Sequence, residues 1–295
     1  MKALRHAALV ALGLLLITTP ATGQDPSWPK ELTLALLSTE NAAEITRRWG
    51  PIAAQLERDL KVKVKTVTAT DYRGSIEALK FKKADIGHLG PKSYVEAATN
   101  NYANVEPVAQ LQLANGSLGY RSCLVVHADS DMFSPEDTAG KMFAFNDPNS
   151  TSGYLVPSTF FMMEMGIDPA KHFSKVTFSG SHEASILAVA NKKVEVASTN
   201  LPDVQQLTRE NKLPRGSLRV IWVSKLIPND PIVVRKDLPP TLKAAIQESL
   251  LSMKGKPEVF KEIGAWLGGF VRADDAKYQV IRDLNETAKA LKAAK

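Results

Sequence analysis

Two stretches of this 295-residue chain follow one plan 110 positions apart. Ile76-Glu77-Ala78-Leu79-Lys80-Phe81-Lys82-Lys83-Ala84-Asp85-Ile86-Gly87 aligns without a gap on Ile186-Leu187-Ala188-Val189-Ala190-Asn191-Lys192-Lys193-Val194-Glu195-Val196-Ala197. Each reads as an amphipathic helix ending in two lysines, which suit the negative end of a helix dipole. A short apolar strand carrying one acidic residue follows. Solenoid repeats recur every ~20–50 residues, so this longer interval predicts two similarly built lobes. The alternative is that helix-Lys-Lys-strand is merely a common αβ unit.

Elsewhere strand and helix patterns alternate, which predicts an α/β architecture with mostly parallel sheets. Leu32 to Ser38 is an apolar run that reads as a buried strand. Ala42 to Leu60 has helical spacing through Ile45, Trp49, Ile52, Ala53 and Leu56, with Gly50-Pro51 predicting a break or kink. Val62 to Ala69 alternates as a strand, Asp71 caps a helix through Phe81, and Ala84 to Leu89 returns to strand. A cleft between lobes requires strands that cross. Tyr120 to His127 and Val220 to Val234, with its Pro228-Asn229-Asp230-Pro231 turn, are the candidates. They divide the chain into 24–119 plus 228–295 as one lobe and 120–227 as the other. Two such crossings permit closure on a ligand through a few dihedral angles.

Met1 to Gly23 reads as a secretory signal, with Lys2 and Arg5 ahead of the apolar run Ala7–Ile17 and a small-residue cleavage site, Ala21-Thr22-Gly23. That run is shorter than the ~20 residues needed to span a bilayer. Cys123 is the only cysteine, so no intrachain disulfide forms, and an exported chain of this kind fits a bacterial periplasm. The net charge of +6 falls to +4 once Lys2 and Arg5 are removed. The basic residues are scattered and not interleaved with aromatics, which describes a cationic surface rather than a nucleic-acid track.

The most informative segment is Lys141 to Pro157. A strand (Met142–Phe145) runs into the polar turn Asn146-Asp147-Pro148-Asn149-Ser150-Thr151-Ser152-Gly153, and a helix follows through Met165. Because proline is tolerated only in the first turn of a helix, Pro157 predicts a late start near Gly153–Leu155. That leaves Ser150, Thr151 and Ser152 at the cap, where free N–H groups and hydroxyls suit a tetrahedral oxyanion. Gly153 is expected to let the backbone approach the ligand closely. The other reading of the same residues is an ordinary Ser-capped helix.

Ser179-Gly180-Ser181-His182-Glu183 again links a strand to a helix, and His182 at its first turn is a second anion donor or a capping residue. In the other half, Ser38-Thr39-Glu40, Thr70-Asp71-Tyr72 and His88-Leu89-Gly90 stand at strand ends, where open α/β sheets bind ligands. Tyr120 and Asp230 lie at the two crossings and would look into the cleft. Core packing is the plain alternative for Tyr72 and Tyr120, and turn chemistry before Pro231 is the one for Asp230.

Taken together, Asn146 to Pro157, Ile227-Pro228-Asn229-Asp230-Pro231-Ile232-Val233, Ser38-Thr39-Glu40, Asp71-Tyr72 and His182-Glu183 resemble the periplasmic phosphonate-binding proteins of bacterial ABC transporters. The resemblance runs in order along nearly the whole mature chain. It implies a type II periplasmic-binding fold of two lobes that closes on a small phosphonate and delivers it to a membrane permease. It further implies that Ser150, Thr151, Ser152 and His182 hold the phosphonate oxygens, that Tyr72 and Tyr120 line the cleft, and that Asp230 faces the organic end. Members that prefer 2-aminoethylphosphonate place a glutamate against the ammonium. Pro202 stands there in this chain, with Asp203 beside it, so Asp203 substitutes or the pocket favours a smaller or unaminated ligand.

A hydrolase triad of Ser150, His182 and Asp230 is the enzyme alternative, but Ser150 lacks the Gly-x-Ser-x-Gly elbow and three consecutive hydroxyls suit anion cradling better. No His, Cys and carboxylate cluster has metal-ligand spacing, so neither metal nor cofactor is expected. Cys123 reads as an inert core thiol. Phosphite, phosphate or a sulfonate are the alternative ligands on the same fold. The expected working form is a monomer or weak dimer that docks transiently on its permease and binds no nucleic acid.

Overall fold

The computed structural model describes residues 25–263 and 267–293. The signal-like segment Met1–Gly23 lies outside them. The chain begins with β1 (Glu31–Leu36), α1 (Ala42–Leu60), β2 (Lys63–Thr68), α2 (Tyr72–Lys80), β3 (Ile86–His88), α3 (Pro91–Ala98) and β4 (Val105–Leu113). After the short β5 (Gly119–Tyr120) come β6 (Ser122–His127) and β7 (Met142–Phe145). One continuous helix follows, made of Thr151–Leu155, α4 (Val156–Thr159) and Phe160–Glu164. Then come α5 (Pro169–His172), β8 (Lys175–Phe178), α6 (His182–Ala190), β9 (Val196–Asn200), α7 (Leu201–Arg209) and β10 (Leu218–Val223). The chain returns through β11 (Ile227–Pro228) and β12 (Pro231–Arg235), and closes with α8 (Pro240–Ser252), α9 (Pro257–Phe260), β13 (Leu267–Arg272) and α10 (Gln279–Ala293).

Two sheets result, ordered β13-β4-β12-β3-β1-β2 and β10-β6-β9-β7-β8, with β5 and β11 paired between them. The two-lobed α/β expectation is met, but the sheets are mixed rather than mostly parallel. β1 runs parallel to β2 and β3, and β7 to β8 and β9. β12 and β6 run antiparallel to both of their neighbours. The reason lies in the crossings. Ile232 at the start of β12 pairs with His88 at the end of β3, and Ser122 at the start of β6 pairs with Asn200 at the end of β9. A strand entering from the crossing starts where its neighbours finish, so it must run back.

Period-two burial assigns the faces. Leu32, Leu34 and Leu36 of β1 pack with Ile45, Trp49, Ile52 and Leu56 of α1, whereas Ala35 faces Ile76, Leu79 and Tyr94. In the second sheet Phe143 and Phe145 join Phe161 and Phe173, while Ala144 joins Cys123 and Val189. Cys123 is the fully buried thiol expected, and burial pushes its pKa up. The predicted break at Gly50-Pro51 does not occur: α1 runs through. An interior proline costs a helix about 3 kcal/mol, but apolar side chains are buried on both sides of it, each contributing about 1.5–3 kcal/mol.

The sequence echo is a structural one. α2 and α6 are both nine residues long. Asp71 accepts from the Gly74 N–H at 2.8 Å, and Ser181 from that of Ala184 at 3.1 Å. Lys82 and Lys192 then turn through left-handed conformations, φ 57° and 55°. Lys83 and Lys193 donate to Ala78 and Ala188, each at 2.8 Å.

Candidate functional site

Between the two sheets, at the carboxyl ends of β1, β3 and β9, lies a cavity of about 100 Å³. On the measure in which one water occupies roughly 10–15 Å³, this suits a ligand of few heavy atoms. Thr39, Glu40, Arg48, Trp49, Tyr72, His88 and Asp230 line it from the first lobe. Ser150, Thr151, His182, Asn200, Pro202 and Asp203 line it from the second, and Tyr120 from the crossing. Seven of the eight residues singled out in the sequence therefore converge. Ser152 is not among the lining residues. It is buried beside them, with its hydroxyl 3.5 Å from His182 Nε2 and its carbonyl accepting from Ser122 Oγ at 2.6 Å.

The cradle is built differently from the sequence expectation. The helix begins at Thr151, not near Gly153–Leu155, with Ser150 as its cap: Ser150 Oγ accepts from the Gly153 N–H at 3.0 Å. Its first turn is a wide π turn, in which Leu155 donates to the Ser150 carbonyl at 3.1 Å. Pro157 has no N–H to give back to the Gly153 carbonyl. That carbonyl instead accepts from the Asn146 N–H at 3.1 Å and from Ser198 Oγ at 2.8 Å. The early start is thus compatible with proline because a backbone N–H and a hydroxyl from outside the helix take up the freed acceptor. Gly153 serves packing rather than ligand approach, since a Cβ there would meet Asn146 Cγ at 2.4 Å. The Thr151 and Ser152 amides are the first of the helix and have no acceptor within it. The opposite lobe docks here too. Thr151 Oγ1 accepts from the Lys92 N–H at 2.9 Å, and Asp147 Oδ2 accepts from that of Tyr72 at 3.3 Å.

Tyr72 and His182 are the first residues of the equivalent helices α2 and α6. The Tyr72 hydroxyl is buried without a hydrogen-bond partner among the described residues. Burial, then Asp203, Asp230 and Asp147, pushes its pKa well up, so it stays an O–H donor. Tyr120 is likewise pushed up by burial and Asp230, with the Ser152 and Thr151 hydroxyls opposing. His182 Nδ1 lies 3.0 Å from Thr199 Oγ1. Burial lowers the His182 pKa to about 4, against a smaller pull from Asp230, so its imidazole is neutral at pH 7.

Carboxylates form the other half of the lining. Asp230 Oδ2 is 2.9 Å from His88 Nε2, and His88 stacks on Trp49 with centroids 4.4 Å apart. Asp203 accepts from Asn200 Nδ2 at 2.7 Å. Its pKa is raised to about 6 by burial above all, with Asp230 and Glu183 adding and Asn200 and Arg48 opposing. Burial raises Glu40 to about 7, opposed by Arg48 and reinforced by Asp203 and Glu183. A Ser150–His182–Asp230 triad is not assembled: the hydroxyls against the His182 ring are those of Ser152 and Thr199, and Asp230 is engaged by His88. The sequence reading left Arg48, Trp49 and Asn200 out of the site and quoted Glu40 and His88 only within segments at strand ends. One signal was available, a charged residue at position 48 inside the buried apolar stripe of α1.

The family model described as ABC transporter, phosphonate, periplasmic substrate-binding protein matches residues 34–278. The phosphonates-binding periplasmic protein of Escherichia coli K12 is 36% identical over 275 residues, covering 91% of this chain and 79% of that protein. A phosphate-import protein of Mycolicibacterium smegmatis is 28% identical over 287 residues, covering 92% of this chain and 88% of its own length. Among solved structures, a binding-protein component of an ABC phosphonate transporter from Pseudomonas aeruginosa superposes with a TM-score of 0.82 at 33% identity, over 90% of this chain and 88% of that one. A Prochlorococcus marinus protein in complex with methylphosphonate superposes with a TM-score of 0.79 at 22% identity, over 88% of this chain and 98% of that one.

Proposed function

The chain belongs to the family of periplasmic substrate-binding proteins of ABC phosphonate transporters, and from that premise we propose which ligand it takes and which residues hold it. It is the substrate-binding component of a phosphonate importer. In our reading the ligand is a small phosphonate with a cationic or neutral tail, 2-aminoethylphosphonate first. Ser150, Thr151 and their helix-start amides hold the phosphonate oxygens with His182, and Ser152 adds its hydroxyl beside the His182 and Tyr120 rings. Tyr72 and Tyr120 donate from the opposite side, and Asp230 and Asp203 meet the organic end. One observation carries this assignment: the buried Tyr72 hydroxyl lines the cavity without a partner among the described residues, and buried hydroxyls are otherwise hydrogen-bonded. Hydrogen bonds to a charged group contribute about 1.5–3 kcal/mol each, so four or five, after the losses on binding, support micromolar affinity, about −8 kcal/mol.

Pro202 lines the cavity at the place where the resemblance implies a glutamate for an aminated ligand, and Asp203 beside it, with Glu40 across the cleft, restores the acidic surroundings. Like-charge repulsion from these acids disfavours ligands that are anionic at both ends. The site binds without transforming its ligand, since Ser150, His182 and Asp230 form no triad: His182 meets Ser152 and Thr199, and Asp230 meets His88. Further parts of the same proposal are that Met1–Gly23 exports the chain to the periplasm, that the lobes are 24–119 plus 228–295 and 120–227, and that a monomer or weak dimer docks transiently on the permease. The β5–β11 pairing, Gly119 with Pro228 and Tyr120 with Ile227, supports the lobe boundaries. Calorimetric titration with 2-aminoethylphosphonate, methylphosphonate, phosphite, phosphate and taurine tests the ligand. Aminoethylphosphonate is expected to bind tightest; tighter binding of taurine than of every phosphorus compound defeats the assignment.

A further inference from the structure

At the rim of the cleft, charged side chains of the two lobes interlock. Arg48 of α1 has a side chain only 4% exposed. Its Nε lies 2.9 Å from Glu40 of its own lobe, and its guanidinium lies 2.6 Å from Glu210 at the end of α7 in the other lobe. Lys212 of the second lobe answers in the reverse direction. It reaches Glu44 of α1 at 3.8 Å, and it also holds Glu183 at 3.2 Å and Glu210 at 3.6 Å. Glu183 is tied across the seam as well: it accepts from the Asn41 N–H at 3.2 Å, and its own N–H donates to the Thr39 carbonyl at 3.3 Å.

We infer that the Arg48–Glu210 pair and the Lys212 contacts form a latch between the lobes, with Arg48 as the positioning residue that couples closure to the cleft. The inference rests on the capture of a ligand between the lobes proposed above. Glu210 and Lys212 are not among the residues lining the cavity, yet both bridge to the first lobe. Their contacts with α1 exist only while the lobes are together, so they act on the opening equilibrium and not on the ligand. Apparent affinity scales with the fraction of protein in the binding-competent state. Removing a latch contact therefore weakens binding without removing a ligand contact. Salt does the same, because ion pairs at a partly exposed rim are screened. Arg48 keeps Glu40 when Glu210 is neutralised, so Glu210→Gln leaves no charge stranded, the condition under which a buried pair becomes strongly destabilising.

The test uses the full mature chain as wild type, Glu210→Gln, Lys212→Met, Arg48→Met and Arg48→Lys. Spin labels at Lys83→Cys and Lys193→Cys, exposed positions on opposite lobes, report the interlobe distance without ligand. Glu210→Gln and Lys212→Met are expected to shift the unliganded distribution toward open forms, as is high salt on the wild type, and Arg48→Lys to shift it less than Arg48→Met. With 2-aminoethylphosphonate as probe, the same variants should dissociate about three- to tenfold faster with little change in association rate, and should depend less on salt than the wild type. The distance distribution decides the matter: if Glu210→Gln and 0.5 M salt leave it unchanged, there is no latch. If the wild type binds no phosphonate, the ligand assignment falls, and the unliganded distances still judge the latch.

Discussion

The two echoing units, α2–β3 and α6–β9, share caps, length and left-handed exit but not the residue that opens the helix. Tyr72 presents a hydroxyl that no described residue satisfies, whereas His182 is held by Thr199. Their packing differs by a paired exchange. Leu79 and Gly87 of the first unit correspond to Val189 and Ala197 of the second. A Cβ on Gly87 would meet Leu79 Cδ1 at 2.7 Å, so the larger helix residue requires the smaller strand residue. The comparison teaches that one backbone frame sets where a side chain enters the cleft, while the entering residue sets the chemistry.

The largest test of that contrast substitutes the two openers. Tyr72→Phe should weaken phosphonate binding by about 1–3 kcal/mol and leave the melting temperature unchanged or slightly higher, because it removes a group without a partner among the described residues. His182→Leu should weaken binding comparably and also lower the melting temperature, because it strands the buried Thr199 hydroxyl. Calorimetry and thermal melts on both variants check this; equal melting losses would erase the distinction.

A smaller effect separates the ligand's two ends. Asp203 and Glu40 have pKa values raised to about 6 and about 7. A carboxyl raised in the fold contributes stability that is full below its ordinary range and is lost as pH rises through the raised value. Closure is therefore easier at acid pH for every ligand, while an ammonium gains its carboxylate partners only as these groups ionise. The ratio of 2-aminoethylphosphonate to methylphosphonate affinity should rise between pH 5 and about 7, by about a factor of ten for each unit of differential pKa shift. Asp203→Asn should flatten that rise. Titrations across this range decide it, and a ratio independent of pH would remove Asp203 from the organic end.

The smallest effect concerns the shared exits. Lys82 and Lys192 hold positive φ, which glycine adopts without penalty. Lys82→Gly and Lys192→Gly should each change stability by less than about 1 kcal/mol, in the same direction. Denaturant melts that disagree in sign would show that the two exits are not energetically alike.

Much of this was legible in the chain. Asp71, Ser150 and Ser181 announce helix starts because a side-chain oxygen satisfies an N–H three residues on, an interaction that a short stretch of sequence contains in full. Leu32, Leu34 and Leu36 announce a strand face for the same reason of short period. The start at Thr151 was misjudged because the Gly153 carbonyl is satisfied by Asn146 and Ser198, and Ser198 lies 45 residues away. Ser150, Thr151 and Ser152 look alike in sequence, and only the fold shows that the Ser152 hydroxyl stands beside the rings of His182 and Tyr120.

The sequence by itself determined the capped units, their repetition, the alternating strand faces and the hydroxyl-rich turn, since each rests on hydrogen bonds and side-chain periods spanning a few residues. Tertiary structure alone decided that β6 and β12 run against their neighbours, that Arg48 belongs to the cleft, and that Arg48 meets Glu210 162 positions along the chain. Those outcomes depend on how the crossings bring the lobes together, and electrostatic attraction acts on distance in space, which no short stretch of residues encodes.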